Sequence, residues 1–281
     1  MTNDQLKLGQ LKSLLQSKGL WAKKGLGQNF LVDESALDLI VEAADLKPSD
    51  NVVEVGPGTG FLTERLVKKA KHVTAVELDE NMVRILEDRF RGVENLELIN
   101  ADILHETRAT RHEPRSYKVV ANIPYYITSP ILKHFLQSDN PPSVMVLLVQ
   151  KEVAEKICGL TGKSLITIET QLFGQPEIIG IVPSKSFYPA PKVESAILKI
   201  TVFDKPLIPE KGLKDFLRLV KFGFSQKRKK LVNSLGAGLH LKSSEMAEVL
   251  READIDPDLR AEALGIEEWK RLGKVLTKLG K

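Results

Sequence analysis

Short apolar runs alternate with segments of helical periodicity through the first part of the chain. The apolar runs predict buried strands at 51–55, 72–78, 96–101, 117–123 and 144–150. Helices are predicted between them at 61–69, 80–90 and 129–136. A further helix at 36–44 follows Asp33, a residue type that favours the N-cap position. This alternation is typical of a mainly parallel sheet with helices on both faces.

Two later strands close the predicted sheet. They lie at 178–182 and 196–203, after helical patterns at 151–158 and 164–173, and only a proline-rich loop separates them. Strands that are joined without a crossover helix pair as a hairpin, so the last strand is expected to run antiparallel. The fold class predicted for this part of the chain is therefore α/β.

The C-terminal part of the chain has a different pattern. Beyond Pro206 and Pro209 the periodicity is wholly helical, at 212–222, 227–235, 244–253 and 267–279. We therefore predict one domain over 1–205 and a small all-α domain over 206–281.

Residues 1–30 form a basic extension to the first domain. Its lysines are Lys7, Lys12, Lys18, Lys23 and Lys24. A weak amphipathic pattern allows a short helix here, and both a solvated extension and an RNA-contacting arm fit the charge.

Composition restricts the class of protein. Apolar residues make up 42% and charged residues 28% of the 281 positions, as in soluble globular proteins. The net charge of +4 permits a nucleic-acid partner without requiring one. The single Cys158 excludes an internal disulfide, and the five histidines lack metal-ligand spacing, so no metal is expected. No apolar run reaches membrane-spanning length, and the predicted location is the cytoplasm.

The strand at 51–55 runs into a glycine-rich loop at Gly56, Gly58 and Gly60. Glycines at such a turn let a ligand approach the backbone closely. A dinucleotide-binding loop needs a further glycine at the position that Phe61 occupies here. The observed spacing is instead similar to that of loops that bind S-adenosylmethionine.

Acidic residues end the next two strands. Glu77 is placed where a carboxylate can accept hydrogen bonds from both hydroxyls of a ribose, and Asp102 is placed to accept one from an adenine amino group. The carboxyl ends of parallel strands meet at one edge of a sheet, so the glycine loop and these two acids should line a single site.

The fourth strand ends in Asn122, Ile123, Pro124 and Tyr125, which provide an amide, a carbonyl stiffened by proline and an aromatic face. The segment contains no acid, base or nucleophile. Two acceptors that receive hydrogen bonds from the N–H groups of a conjugated amine, such as N6 of adenine, would make the lone pair of that amine more nucleophilic. Tyr125 could stack on the base.

Together these motifs resemble those of the rRNA adenine N6-dimethyltransferase family, which has a Rossmann-like class I methyltransferase sheet with a last antiparallel strand. The matching segments are 27–31 (GQNFL), 54–60 (EVGPGTG), Glu77, Asp102, 122–125 (NIPY) and 187–195 (FYPAPKVES). The tail segments 224–235 (FSQKRKKLVNSL) and 259–268 (LRAEALGIEE) resemble the branch that acts on small-subunit rRNA, the KsgA type.

The resemblance implies an S-adenosylmethionine-dependent rRNA dimethyltransferase. Its cofactor-binding residues would be Asn29, Leu31, Gly56, Gly58, Glu77, Asp102 and Asn122. Its catalytic, base-holding residues would be Asn122, Ile123, Pro124, Tyr125 and Phe187, the last stacking on the second face of the base. The target would be two adjacent adenosines in a hairpin loop near the 3′ end of 16S rRNA, on the small ribosomal subunit, each methylated twice at N6 during ribosome biogenesis.

The basic tract of the tail is a candidate RNA contact, and its residues are Lys227, Arg228, Lys229 and Lys230. In a helix, four consecutive residues cover about one turn, so at least some of them must meet solvent or phosphate. A solvated helix start is the alternative interpretation.

Three other functions compete with this one. A large-subunit rRNA adenine methyltransferase conferring macrolide resistance shares the catalytic half and differs in the tail and in RNA specificity. An rRNA-binding assembly factor with a vestigial site is a non-enzymatic alternative. A DNA adenine methyltransferase is disfavoured because the chain shows no obvious domain for recognising a DNA sequence.

Overall fold

The computed structural model describes residues 3–21, 27–110 and 116–280. The chain divides into two compact units. The first comprises Met1–Ala154 with Pro176–Val202, and the second comprises Glu155–Gln175 with Phe203–Lys281. The second unit thus includes 155–175, which the sequence analysis assigned to the first domain.

Nine strands are present in the described residues. They are β1 (Phe30–Leu31), β2 (Asn51–Val55), β3 (His72–Glu77), β4 (Leu96–Asn100), β5 (Tyr117–Asn122), β6 (Val144–Gln150), β7 (Gly174–Val182), β8 (Phe187–Tyr188) and β9 (Ser195–Val202). The short strands β1 and β8 pair antiparallel and form a separate ribbon, which the sequence analysis did not predict.

Seven strands form one sheet, in the order β4-β3-β2-β5-β6-β9-β7. Strands β2 to β6 pair parallel with their neighbours, whereas β9 runs antiparallel to β6. The middle residues of β6 are all buried, as expected for a strand covered by helices on both faces. The predicted Rossmann-like sheet with a last antiparallel strand is confirmed.

The helices before β7 are α1 (Asn3–Ser17), α2 (Glu34–Ala43), α3 (Thr63–Leu66), α4 (Glu80–Arg89), α5 (Thr128–Leu136), α6 (Lys151–Ile157) and α7 (Leu165–Phe173). Asp33 caps α2 as predicted, because its carboxylate accepts a hydrogen bond from the Ala36 amide at 3.0 Å. Helix α3 is much shorter than the predicted 61–69, since turns occupy both ends of that segment.

The N-terminal extension packs onto the first unit. Leu11 and Leu15 of α1 are buried in its hydrophobic core. The Lys7 ammonium lies 3.3 Å from the Glu34 carboxylate and 4.7 Å from the ring centre of Phe61. Of the two interpretations left open, a fully solvated extension does not fit the described part, because the apolar face of α1 is covered. The RNA-contacting arm stays a prediction. Lys23 and Lys24 lie outside the described residues.

The C-terminal helices are α8 (Glu210–Phe224), α9 (Leu231–Leu239), α10 (Ser243–Glu252) and α11 (Ile266–Lys278), and they confirm the all-α prediction. Trp269 of α11 is fully buried, and a Cβ on Gly223 of α8 would lie 2.2 Å from its ring. The segment 155–175 joins this unit through backbone hydrogen bonds such as the one from Lys163 N to Glu262 O.

Candidate functional site

A cavity of about 320 Å³ lies in the first unit, at the carboxyl ends of β2, β3, β4 and β5. It brings together most of the residues predicted from the sequence. Those that line it are Asn29, Leu31, Gly56, Gly58, Glu77, Asp102, Asn122, Ile123, Pro124 and Tyr125. The parallel register places these strand ends side by side. The sheet therefore assembles one site from segments that are far apart in sequence.

The glycine loop forms one wall of the cavity. Gly56 has a φ of +66°, and a Cβ built on it would meet no atom within 4 Å, so the loop leaves open space at this residue. At Gly60, where φ is +84°, a Cβ would lie 2.5 Å from the Phe90 ring. The loop therefore needs glycine for its backbone conformation at both positions, and also for packing at Gly60.

Glu77 is buried at the end of β3 and fixes the glycine loop. Its two carboxylate oxygens accept hydrogen bonds from the backbone amides of Gly58, at 3.0 Å, and Asp79, at 2.9 Å. Burial raises the pKa of this carboxyl, and the amide donors oppose that shift. A carboxylate has about four acceptor sites, so capacity remains for donors from a ligand.

Glu54 also lines the cavity, and no role was predicted for it from the sequence. It is 1% exposed, and its Oε2 atom accepts no hydrogen bond from the described residues. Burial raises the pKa of this carboxyl from 4.5 to about 8, and the nearby Glu77 carboxylate adds to the shift. Its position directly before the glycine loop was the only available signal.

A pH-dependent stability follows from Glu54. Between pH 4.5 and 8 the folded protein keeps a proton on this carboxyl that the unfolded chain releases, so stability falls as pH rises through that window. Glu54→Gln should remove this contribution, which amounts to at most about 1.4 kcal/mol per pH unit. Thermal unfolding midpoints of the two proteins are to be measured from pH 5 to 8. The midpoint of the parent should fall relative to that of the variant as pH rises. Parallel curves would contradict a protonated Glu54.

Asn122 ends β5 with its amide held in one orientation. The Nδ2 atom donates a hydrogen bond to the Asn29 carbonyl at 3.2 Å. Within the described part of the chain, Oδ1 of Asn122 has no hydrogen-bond donor, and the Ile123 carbonyl accepts none from the backbone. Two neighbouring acceptors therefore remain available at the cavity.

Tyr125 follows β5 and Asp102 follows β4, the two outer strands of the four that end at this cavity. The Tyr125 hydroxyl is 2.6 Å from the hydroxyl of Ser195, and burial raises the pKa of the phenol. One oxygen of Asp102 accepts a hydrogen bond from the Leu104 amide at 3.0 Å, and the other lies 3.4 Å from Nδ1 of His105.

Comparison with known proteins identifies the family. The sequence profile of the family described as Ribosomal RNA adenine dimethylase matches residues 19–278, nearly the whole chain. This chain belongs to the ribosomal RNA adenine dimethylase family. The resemblance seen in its motifs is thereby confirmed.

Relatives within this family cover almost the full length. A Dehalococcoides mccartyi protein named Ribosomal RNA small subunit methyltransferase A is 42% identical, over 96% of this chain and 94% of its own. The Enterococcus faecalis protein of the same name is 39% identical, over 95% of this chain and 94% of its own.

Solved structures show the same fold. The 23S rRNA methyltransferase ErmE superposes with a TM-score of 0.72 at 30% identity, over 89% of this chain and 100% of its own. A dimethyladenosine transferase from Plasmodium falciparum superposes with a TM-score of 0.75 at 27% identity, over 89% of this chain and 98% of its own. Within the described residues, every helix is too short or too polar to span a lipid bilayer.

Phe187 does not line the cavity of this family member. It is 4% exposed and belongs to the hydrophobic core of the first unit, in β8, where it pairs with Leu31 of β1. The predicted stacking of Phe187 on a base is thus not available in this conformation, because other core residues cover its ring. The β1–β8 ribbon instead links it to the cavity through Leu31.

Two exposed apolar residues at the cavity were missed. Leu78 follows Glu77 directly, and Tyr126 follows Tyr125; Tyr126 is 62% exposed. Their positions next to predicted site residues were the available signal. Burial could not be read from the sequence, so neither could be distinguished from a core residue.

The basic tract 227–230 lies in the second unit, in the turn between α8 and α9. The predicted helix at 227–235 is wrong at its start, because α9 begins at Leu231. All four side chains are exposed. Lys230 pairs with Asp258 at 2.8 Å, whereas Lys227, Arg228 and Lys229 have no ion-pair partner among the residues described.

Proposed function

We propose that this protein uses S-adenosylmethionine to dimethylate N6 of two adjacent adenosines in a hairpin loop near the 3′ end of 16S rRNA, on the small ribosomal subunit, during ribosome biogenesis. The observation that carries the proposal is the pair of available acceptors, Asn122 Oδ1 and the Ile123 carbonyl, beside the glycine loop. Family membership supports the reaction class.

The cavity residues fit the cofactor. The backbone at Gly56 leaves space for a ligand, and Glu77 offers acceptor capacity for the ribose hydroxyls. Asp102 would accept from the adenine amino group, while Asn29 and Leu31 would cover the cofactor from the N-terminal side. When bound, S-adenosylmethionine supplies a methyl group on a positively charged sulfur, which is a strong electrophile.

The buried carboxyl of Glu54 offers a further fit. Its Oε2 atom is without a donor in the described structure, and a bound ammonium group would supply one and favour the ionised form of this carboxyl, which is protonated when no ligand is bound. We propose that the methionine part of the cofactor lies on this side of the glycine loop, near Gly56 and Gly58.

The protein's own contribution to the reaction is positioning and polarisation. Asn122 Oδ1 and the Ile123 carbonyl would accept hydrogen bonds from the two N–H groups of adenine N6. This would direct the lone pair of N6 towards the cofactor. Tyr125 would stack on the base, and such stacking is worth roughly 1–3 kcal/mol per base. The target adenosine must be unstacked from its neighbours to enter the cavity, so a loop is a more accessible substrate than a helix.

The small subunit is favoured over the large subunit. Curated relatives that carry the small-subunit name share 37–44% identity with this chain over at least 94% of its length. ErmE, a 23S rRNA methyltransferase, shares the fold at 30% identity, so the large-subunit alternative is the one to test against. Methyl transfer to isolated small subunits, large subunits and naked rRNA separates the two, because only small subunits should accept methyl groups efficiently.

We also propose that the basic tract contacts rRNA. Replacing Lys227, Arg228 and Lys229 with alanine should weaken binding to small subunits and flatten its salt dependence. Each lost phosphate contact removes about one unit of the log–log slope. Binding of parent and variant is to be measured at several salt concentrations.

Lys230→Ala is a matched control within the same turn, because Asp258 already holds the Lys230 ammonium. This variant should change the slope less than the triple variant does. Identical slopes for the parent and the triple variant would show that the tract is ordinary solvated surface.

A further inference from the structure

The Tyr125 hydroxyl is held by a residue far away in sequence. It lies 2.6 Å from the Ser195 hydroxyl. Ser195 is 0% exposed, whereas Tyr125 is only half-buried and faces the cavity. A buried anchor thus holds the far end of an aromatic side chain that lines the site.

The sheet fixes the position of Ser195. It is the first residue of β9 and pairs with Gln150, the last residue of β6. Just beyond this pair, the residue after β6 is hydrogen-bonded to the residue before β9, from Lys151 N to Glu194 O at 3.1 Å. Strand β6 also pairs with β5, and Asn122 is the last residue of β5, three positions before Tyr125. Both partners of the hydroxyl pair are therefore positioned by the same end of the sheet.

We propose that Ser195 is a positioning residue that holds the ring of Tyr125 at the cavity for stacking on the target adenine. This inference rests on the proposed function. The backbone holds the Cβ end of the ring, and Ser195 holds the hydroxyl at the opposite end. With both ends fixed, the long axis of the ring cannot swing out of the cavity that a base must enter. A phenylalanine at 125 would keep the aromatic face and lose this anchor.

The test is a double-mutant cycle with Tyr125→Phe, Ser195→Ala and the double variant. Each substitution deletes the same hydrogen bond from one side, and Tyr125→Phe keeps the stacking face. Each single variant should lower kcat for small subunits by about three- to tenfold, the loss expected for one hydrogen bond. The double variant should lose no more than either single variant. The KM for subunits and the affinity for S-adenosylmethionine should stay near parent values.

Tyr117→Phe is the matched control, because it also deletes a phenol hydrogen bond, to the Asn140 carbonyl at 2.7 Å, at the other end of β5. It should lower the unfolding midpoint without a comparable fall in kcat. If Tyr117→Phe lowers kcat as much as the cycle variants do, Ser195 acts through stability alone and the inference is wrong.

Three further outcomes would overturn the inference: additive losses in the double variant, unchanged kcat in both singles, or losses that track cofactor affinity. A parent protein that transfers no methyl groups to small subunits would overturn the proposed function together with this inference. An active parent with unaffected variants would overturn the inference alone.

Discussion

Asn122→Ala is expected to reduce methyl transfer by roughly a hundredfold or more, the effect seen when one preorganised hydrogen-bonding group is removed from a transition-state site. The Oδ1 atom has no donor in the described structure and is proposed to accept from the reacting amine. Affinity for S-adenosylmethionine should stay within about tenfold, or 1.4 kcal/mol, of the parent. Single-turnover transfer to small subunits and calorimetric cofactor titration measure the two quantities.

Asn95→Ala is the control for this variant. Its Nδ2 atom donates to two backbone carbonyls, of Val67 and Ala70, at the opposite edge of the sheet. The substitution should cost stability and leave transfer intact. Parent-level turnover in Asn122→Ala would mean that the amine acceptors lie elsewhere.

Glu77→Ala is expected to weaken S-adenosylmethionine binding by at least about a hundredfold. Two ribose hydroxyls would lose a charged acceptor worth about 1.5–3 kcal/mol per hydrogen bond. The glycine loop would also lose the anchor at Gly58. Calorimetric titration measures the loss, and Glu97→Ala on the neighbouring strand β4 serves as the control, because Glu97 is exposed.

The affinity of the parent should also depend on pH. Burial raises the pKa of Glu77, and only the ionised carboxylate can accept from both hydroxyls without itself donating. Affinity should therefore fall as pH is lowered through that raised pKa, and Glu77→Gln should lose this dependence. Unchanged affinity for S-adenosylmethionine in Glu77→Ala would show that Glu77 does not bind the cofactor.

The sheet and the site edge could be predicted because their signal is local. Runs of apolar residues mark β2 and β6 with their observed bounds, and the site residues follow directly where such runs stop. Parallel pairing then brings Gly56, Glu77 and Asn122 to one edge without any further information.

Tertiary packing explains what the sequence did not reveal. The leucine pattern of α1 does not show that Leu11 and Leu15 would be buried in the core. The helical segment 155–175 carries no mark of the unit it joins. The 227–230 tract has good helix formers but lies in a turn, because a helix start depends on capping and on neighbouring contacts. Phe187 and Tyr126 are both aromatic, and only the structure shows that the first is buried and the second exposed.

The position and number of the transferred methyl groups provide the most direct test. Small subunits that lack methylation near the 3′ end of 16S rRNA are to be incubated with the protein and S-adenosylmethionine, and the rRNA mapped by mass spectrometry of its fragments. The proposed function predicts two adjacent adenosines in one hairpin loop, each carrying two methyl groups on N6. Methylation of another base, efficient methylation of large subunits alone, or no transfer to any of these substrates would contradict it.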